Sequence, residues 1–176
     1  GRVLVDLAQV EHDGLPRLLG QLLHPVDVDP VLSVLVGNGD GTFQERVDYY
    51  TCDYSNYYGP TVVVGDFDED GHQDIAHAST GPFVSVMLGV GDGSFHVAPR
   101  YRTAEGPSWI VTGDFDGDDN EDIVAACAVA ESISVLMGSG SGTFAPGGSY
   151  SVGLKARGAA AGHLNADVHL DLAVSL

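Results

Sequence analysis

The chain is a tandem repeat, and this periodicity limits what it can fold into more than any other feature. The stretch GDFDEDGHQDIA at residues 65–76 returns as GDFDGDDNEDIV at residues 113–124, 48 positions later (113 − 65), and a weaker copy, GHLNADVHLDLA, begins at Gly162. A second motif keeps nearly the same period, as SVLVGNGDGTF from Ser33, SVMLGVGDGSF from Ser85 and SVLMGSGSGTF from Ser134. Two motifs alternating with one period of about 50 residues indicate stacked copies of one structural unit.

Each unit contains short runs with the composition of β-strands. In the second unit these runs are rich in Val, Ile, Phe and Tyr and are bounded by Gly, Asp and Pro. They cover Thr61–Val64, Asp74–Ser79, Phe83–Leu88 and Phe95–Arg102. None shows a sustained helical period, so we expect no helix beyond a turn or two.

Glycine-rich segments at residues 37–41, 89–93 and 138–142 are expected to be hairpin turns, because such turns need residues that accept a positive φ. An aromatic residue follows each segment and is expected to pack between neighbouring units. These residues are Phe43, Phe95 and Phe144.

Four short antiparallel strands repeated at this period are typical of a β-propeller blade. We therefore predict an all-β fold and one repeat domain over residues 1–176. Its blades are expected at about 1–50, 61–102 and 108–151, with a half blade at 157–176. Three and a half blades do not close a ring, so the sequence predicts an incomplete or an assembled propeller.

The charge of the chain restricts its partners. A formal net charge of −18, from 25 acidic and 7 basic residues, argues against nucleic acid or an anionic membrane surface. Membrane insertion is not expected either, because no apolar run approaches the ~18 residues that a membrane span needs. Eight of the acids are aspartates at fixed spacing in the two strong repeats, and this arrangement indicates that they bind a cation.

The two aspartate-rich loops have the pattern of calcium sites. Counted from the first aspartate, carboxylates fall at positions 1, 3, 5 and 9, and a backbone carbonyl is available at position 7. Calcium takes six to eight such oxygen ligands. The predicted ligands of the first loop are Asp66, Asp68, Asp70, the carbonyl of His72, and Asp74. Those of the second loop are Asp114, Asp116, Asp118, the carbonyl of Asn120, and Asp122.

The turn at position 6 is expected to need a positive φ. Gly71 supplies it in the first loop, and Asp119 stands there in the second, because aspartate tolerates this conformation better than most residues.

Two alternatives to a calcium loop fit the sequence less well. An EF-hand needs an acid at position 12 and flanking helices, but position 12 is His77 or Ala125 and the flanks resemble strands. An acidic turn without a metal would leave four carboxylates within nine residues repelling one another. Calcium is therefore the favoured interpretation.

The outer copies of the loop have lost this pattern. In the first copy the aligned positions are Gln9, Glu11, Asp13 and Arg17, and the arginine could neutralise a neighbouring acid in place of a metal. In the last copy they are His163, Asn165, Asp167 and Asp171. Val168 stands at its turn position, where a β-branched side chain resists a positive φ. Calcium is therefore not favoured at either copy, and whether these two loops bind a metal stays open.

The pairing of DxDxDGxxD-type loops with SVLLGxGDGTF-like hairpins resembles the FG-GAP/VCBS repeats of integrin alpha-chain propellers and of many secreted microbial proteins. The resemblance covers nearly the whole chain and is strongest over residues 61–151. It implies a calcium-stabilised β-propeller that is secreted or displayed at the cell surface and serves in adhesion, in protein or carbohydrate binding, or in structural assembly.

No motif for nucleophilic, metal-hydrolytic or phosphate chemistry occurs, so the chain is not expected to be an enzyme. The alternative is a propeller fragment of a larger secreted enzyme. Self-association into an oligomer or filament through the open propeller edges is a further expectation.

Tyrosines cluster in DYYTCDYSNYYGP at residues 48–60, where Tyr54, Tyr57 and Tyr58 are candidates for ligand contact or, equally, for packing between blades. Whether the two cysteines, Cys52 and Cys127, form a disulfide stays open, although the apolar surroundings of Cys127 favour a buried thiol.

Overall fold

A computed structural model describes residues 32–49, 61–78 and 81–176. Within these ranges the chain is all β, without a helix, and no segment there qualifies as a membrane-spanning helix. The strands are β1 (Leu32–Val34), β2 (Val47–Tyr49), β3 (Val62–Gly65), β4 (Asp74–Ala78), β5 (Phe83–Gly89), β6 (Phe95–Arg102), β7 (Pro107–Gly113), β8 (Asp122–Cys127), β9 (Ser132–Gly138), β10 (Phe144–Ser151), β11 (Gly158–Gly162) and β12 (Asp171–Ser175).

Strands adjacent in the chain are adjacent in the sheets. β3–β6 and β7–β10 form two four-stranded antiparallel sheets, and β1–β2 and β11–β12 form two-stranded sheets on either side in the chain. The all-β fold with four-stranded blades is therefore confirmed. In β3–β6 the strand ends differ from the sequence prediction by at most one residue, because Gly, Asp and Pro mark the turns so clearly.

The two-stranded sheets are different parts of the repeat. β1 carries the motif that begins at Ser33, so it corresponds to β5 and β9, the third strands of the complete sheets. β11 and β12 flank the decayed aspartate loop and correspond to the first two strands.

The middle strands are buried on both faces. Every residue of β4 and of β8 is buried. Since alternate side chains point to opposite faces of a sheet, Ile75 packs towards β1–β2 with Tyr49. Its neighbour Ala76 packs towards β7–β10 with Ile110 and Ile123. The core is thus a series of layers between successive sheets.

Aromatic residues join these layers as the sequence predicts, with one exception. Phe95 meets Tyr49 of the preceding sheet edge to face at 5.8 Å between ring centroids. Phe144 meets Phe67 at 5.6 Å and Tyr101 at 5.1 Å in the same way. Phe43 is 63% exposed, because the described part of the chain contains no sheet on that side of β1–β2.

The first strands of successive sheets run side by side. The Thr61 hydroxyl donates to the Ser108 carbonyl (3.2 Å) and accepts the Ile110 N–H (3.0 Å). The Ser108 hydroxyl donates in turn to the Ala156 carbonyl (3.4 Å) just before β11. Because β3, β7 and β11 are aligned at their starts, the loops that follow them lie at the same end of the stack.

Candidate metal centres

Each aspartate-rich loop connects the first strand of a sheet to the second. The last residue of the first strand pairs with the ninth loop residue, as Gly65 with Asp74 and Gly113 with Asp122. The loop is thereby closed at its base by the sheet. Its tip is held by the first aspartate, since Asp66 Oδ2 accepts the Gly71 N–H and Asp114 Oδ2 accepts the Asp119 N–H, both at 3.0 Å.

The ninth aspartate of each loop is fully buried and fixes the loop to the sheet. Asp74 accepts the Phe67 N–H on Oδ2 and the Gly89 N–H on Oδ1, both at 2.7 Å. Asp122 does the same with Phe115 (2.9 Å) and Gly138 (2.8 Å). Burial raises the pKa of both carboxyls and their neighbouring aspartates raise it further, while these hydrogen bonds lower it.

Each loop gathers three carboxylates into one cluster. Oxygens of Asp66, Asp68 and Asp74 lie within 4.8 Å of one another, and so do oxygens of Asp114, Asp116 and Asp122. In the first cluster Asp66 Oδ1 is buried and has no hydrogen-bond partner among the described residues. A buried acceptor without a donor is costly, and a cation would satisfy it. Both clusters could therefore hold a metal ion.

The predicted ligands at position 5 lie outside the clusters. Asp70 Oδ1 accepts the His72 N–H at 2.8 Å, and Asp118 Oδ1 accepts the Asn120 N–H at 2.9 Å. The hydrogen bond from the Asn120 backbone N–H lowers the pKa of Asp118, and so does the bond that the Asn120 side-chain amide donates. Both aspartates shape the turn that carries the carbonyls of His72 and Asn120. That the side chains at position 5 and the carbonyls at position 7 bind a metal stays a prediction.

Two residues in each loop adopt a left-handed backbone. At position 6, Gly71 has φ of 86° and Asp119 has φ of 70°, as expected from the sequence. Sequence reasoning missed position 4, where φ is 82° for Gly117 and 58° for Glu69. The glycine at residue 117 was the available signal for this second turn.

The third loop keeps part of the scaffold without an acidic cluster. Asp171 Oδ2 still accepts the Leu164 N–H (2.8 Å), and Asp167 Oδ1 accepts the His169 N–H (2.9 Å). His163, at position 1, bonds instead to the His169 carbonyl at 3.0 Å. Val168 has no positive φ. The acidic clusters found in the described ranges do not include this loop, and the copy at residues 9–17 lies outside those ranges.

A further acid, Glu121, stands beside the first cluster although it belongs to the second loop. Its Oε2 is buried and has no hydrogen-bond partner within the described residues. A Cβ added to Gly65, the residue before Asp66, would collide with its carboxylate. Burial raises the pKa of Glu121, a hydrogen bond with Thr112 lowers it, and the charges of Asp66 and Asp74 raise it. No feature of the sequence singled out Glu121, since the residue at position 8 is different in every copy of the loop.

The other candidate residues fall mostly outside the described ranges. Tyr54, Tyr57, Tyr58 and Cys52 all lie there. Tyr49, in the same tyrosine-rich segment, is a core residue whose hydroxyl accepts the Phe95 N–H at 3.1 Å. Cys127 is a buried free thiol, and burial raises its pKa.

Comparison with protein families matches the chain to a family described as FG-GAP-like repeat. The matches cover residues 13–77 and 66–125, and together they span 113 of the 176 residues (125 − 13 + 1). No curated protein matches the chain.

Proposed function

The chain belongs to the FG-GAP-like repeat family, and we propose that it is a calcium-binding, non-catalytic β-propeller module. It acts outside the cell, in adhesion or in binding a protein or carbohydrate ligand. FG-GAP repeats are typical of extracellular proteins, which supports this location. The absence of catalytic motifs from the sequence supports the non-catalytic role.

The observation that carries the proposal is the pair of aspartate clusters. Two oxygens bound to one calcium ion at 2.3–2.6 Å can be at most about 5 Å apart. The oxygens of each cluster lie within 4.8 Å of one another, so every pair of them meets this limit. Hard carboxylate oxygens are calcium ligands by preference, and magnesium fits less well because it retains several waters and demands a near-ideal octahedron.

Calcium would have a structural effect at these positions. It neutralises carboxylates that otherwise repel one another and holds the loop against the second strand of the sheet. Because a site formed only in the folded chain contributes its binding free energy to stability, the ion stabilises the fold that presents the ligand-binding surface.

Calorimetry and thermal unfolding test this proposal. We expect about two calcium ions per chain, a higher melting temperature in saturating calcium, and a marked loss of stability in chelator. Magnesium should restore little of that stability. A melting curve that excess chelator leaves unchanged, together with no calorimetric binding, contradicts the proposal.

Substitutions assign the ions to their loops. Asp68→Asn and Asp116→Asn keep the size and an acceptor oxygen, and each should abolish one ion. Asp70→Ala and Asp118→Ala should do the same if position 5 binds the metal. Asp167→Asn, in the loop that lacks a cluster, is the matched control and should leave the stoichiometry at the parent value, as should Asp13→Ala.

A further inference from the structure

Each hairpin of the repeat carries a tyrosine as well as its phenylalanine. The tyrosine stands six residues after the phenylalanine in all three copies (49 − 43, 101 − 95 and 150 − 144). It lies on the last strand of its unit, β2, β6 or β10. These tyrosines are Tyr49, Tyr101 and Tyr150.

Two of the three tyrosines are covered by the hairpin of the next sheet. Tyr49 meets Phe95 edge to face, and its hydroxyl accepts the Phe95 N–H at 3.1 Å. Tyr101 meets Phe144 at 5.1 Å between ring centroids and donates its hydroxyl to the Gly142 carbonyl at 3.2 Å. Both junctions therefore use the same contact, in which a tyrosine of one sheet packs under the glycine-rich hairpin of the next.

A glycine two residues before the phenylalanine allows the hairpin to approach. A Cβ on Gly93 would lie 2.6 Å from the Val36 side chain of the preceding sheet. A Cβ on Gly142 would lie 2.9 Å from the Leu88 side chain, at the corresponding position. A hairpin fits this place only if glycine and phenylalanine occupy these two positions.

Both halves of the contact are uncovered at opposite ends of the described repeat. Tyr150 is 59% exposed, and Phe115 is partly exposed although its counterpart Phe67 is buried. We call the surface formed by Phe115 and Tyr150 the Tyr150 face. At the other end Phe43 is 63% exposed, and a Cβ on Gly41 would meet nothing within 4 Å.

The strand order gives the same match. β12 is the second strand of its unit and β1 the third, and such strands pair in both complete sheets, as β4 with β5 and β8 with β9. Among the described strands, neither β12 nor β1 has a partner on that side. A hairpin that pairs with β12 would bring its phenylalanine to the Tyr150 face.

We propose that the β1–β2 hairpin of one copy of this chain docks on the Tyr150 face of a second copy, beside β12. Gly41 and Phe43 then take the places that Gly142 and Phe144 take on Tyr101. The contact is head to tail, so it builds a ring where the rotation closes and a filament where it does not. It goes beyond the proposed function, because it does not involve the acidic clusters.

Two complementary variants of the full chain test this contact. Phe43→Glu disables the hairpin and Tyr150→Glu disables the face, because each would bury a charge without a partner. The measurement is analytical ultracentrifugation in calcium at about 0.15 M salt, which screens the repulsion between chains of net charge −18. The parent should gain mass with concentration, and each variant alone should stay a monomer. An equimolar mixture should give a dimer of twice the monomer mass, since one intact hairpin meets one intact face.

Val97→Glu is the matched control. Val97 is 56% exposed on β6 and belongs to neither surface, so this variant should assemble as the parent does. Thermal unfolding, at a dilution where the parent is monomeric, should be nearly the same for the parent and for the Phe43 and Tyr150 variants. That result separates lost association from lost folding.

Three outcomes overturn the proposal. They are a parent that stays monomeric at high concentration, assembly that persists in either variant, and a mixture of folded variants that forms no dimer. Assembly lost only with Tyr150→Glu would indicate that two Tyr150 faces meet each other, or that another occupant covers this face. None of these outcomes affects the proposed calcium binding.

Discussion

At the scale of single residues, the acidic loops depend on backbone conformation as much as on charge. Positions 4 and 6 both have a positive φ, and each loop places glycine at only one of them: Gly71 in the first and Gly117 in the second. Glu69 and Asp119 occupy the other positions at a steric cost. The hydrogen bonds of the first and ninth aspartates hold the chain in this shape.

Gly117→Ala isolates the backbone cost. Gly117 has φ of 82° and open space around its missing Cβ, so only the left-handed conformation opposes a side chain. We expect a loss of about 1 kcal/mol in the free energy of unfolding, measured by urea denaturation in chelator. Gly162→Ala is the control, because its surroundings are equally open and its φ is not in the left-handed region. It should be neutral or slightly stabilising, and equal losses in both variants would contradict the explanation.

At the scale of strands and turns, one repeated aromatic residue has two different environments. Phe144 packs on Phe67 and Tyr101 of the preceding sheet, whereas Phe43 stands at the same motif position and is mostly exposed. The difference arises from the neighbours and not from the motif. The repeat therefore supplies matched pairs of residues that differ only in tertiary contact.

Phe144→Ala should lower the free energy of unfolding by roughly 2 kcal/mol, somewhat less than for a fully buried phenylalanine. Phe43→Ala should change it by less than about 0.5 kcal/mol, as is usual for exposed sites. Thermal and urea unfolding of the two variants under identical calcium concentrations provide the comparison. Similar effects in both would show that the aromatic acts within its own hairpin and not between sheets.

At the scale of the whole molecule, the described sheets leave edges available. β12 pairs with β11 alone, so its outer edge is open among the described strands. Exposed strand edges and uncovered sheet faces recruit further chains, and a two-stranded sheet is marginal by itself. We propose that copies of the chain, or a partner chain, associate at this edge.

Removing residues 157–176 should abolish this association and leave calcium binding at the two central loops, measured by analytical ultracentrifugation and calorimetry with calcium present. Because the deletion uncovers β7, a milder variant is needed as well. Ala173→Lys places a charge on the edge strand and should also prevent association. A parent chain that stays monomeric at high concentration in calcium contradicts this proposal.

The repeat, the all-β fold and the strand bounds of the second unit could be predicted from the sequence, because turn residues act locally. The sequence also predicted the backbone at the turn position of the third loop, where Val168 takes no positive φ. These features depend on residues that are close together in the chain, so each copy of the motif indicates them.

Which carboxylates meet could be seen only in the folded chain. Asp70 and Asp118 lie outside the clusters because they bond to backbone within their own turns. Glu121 approaches the first loop although it stands 55 residues after Asp66 (121 − 66). Contacts of this kind depend on how neighbouring sheets stack. Stacking follows from packing between residues far apart in the chain, so the spacing of residues within one loop does not predict it.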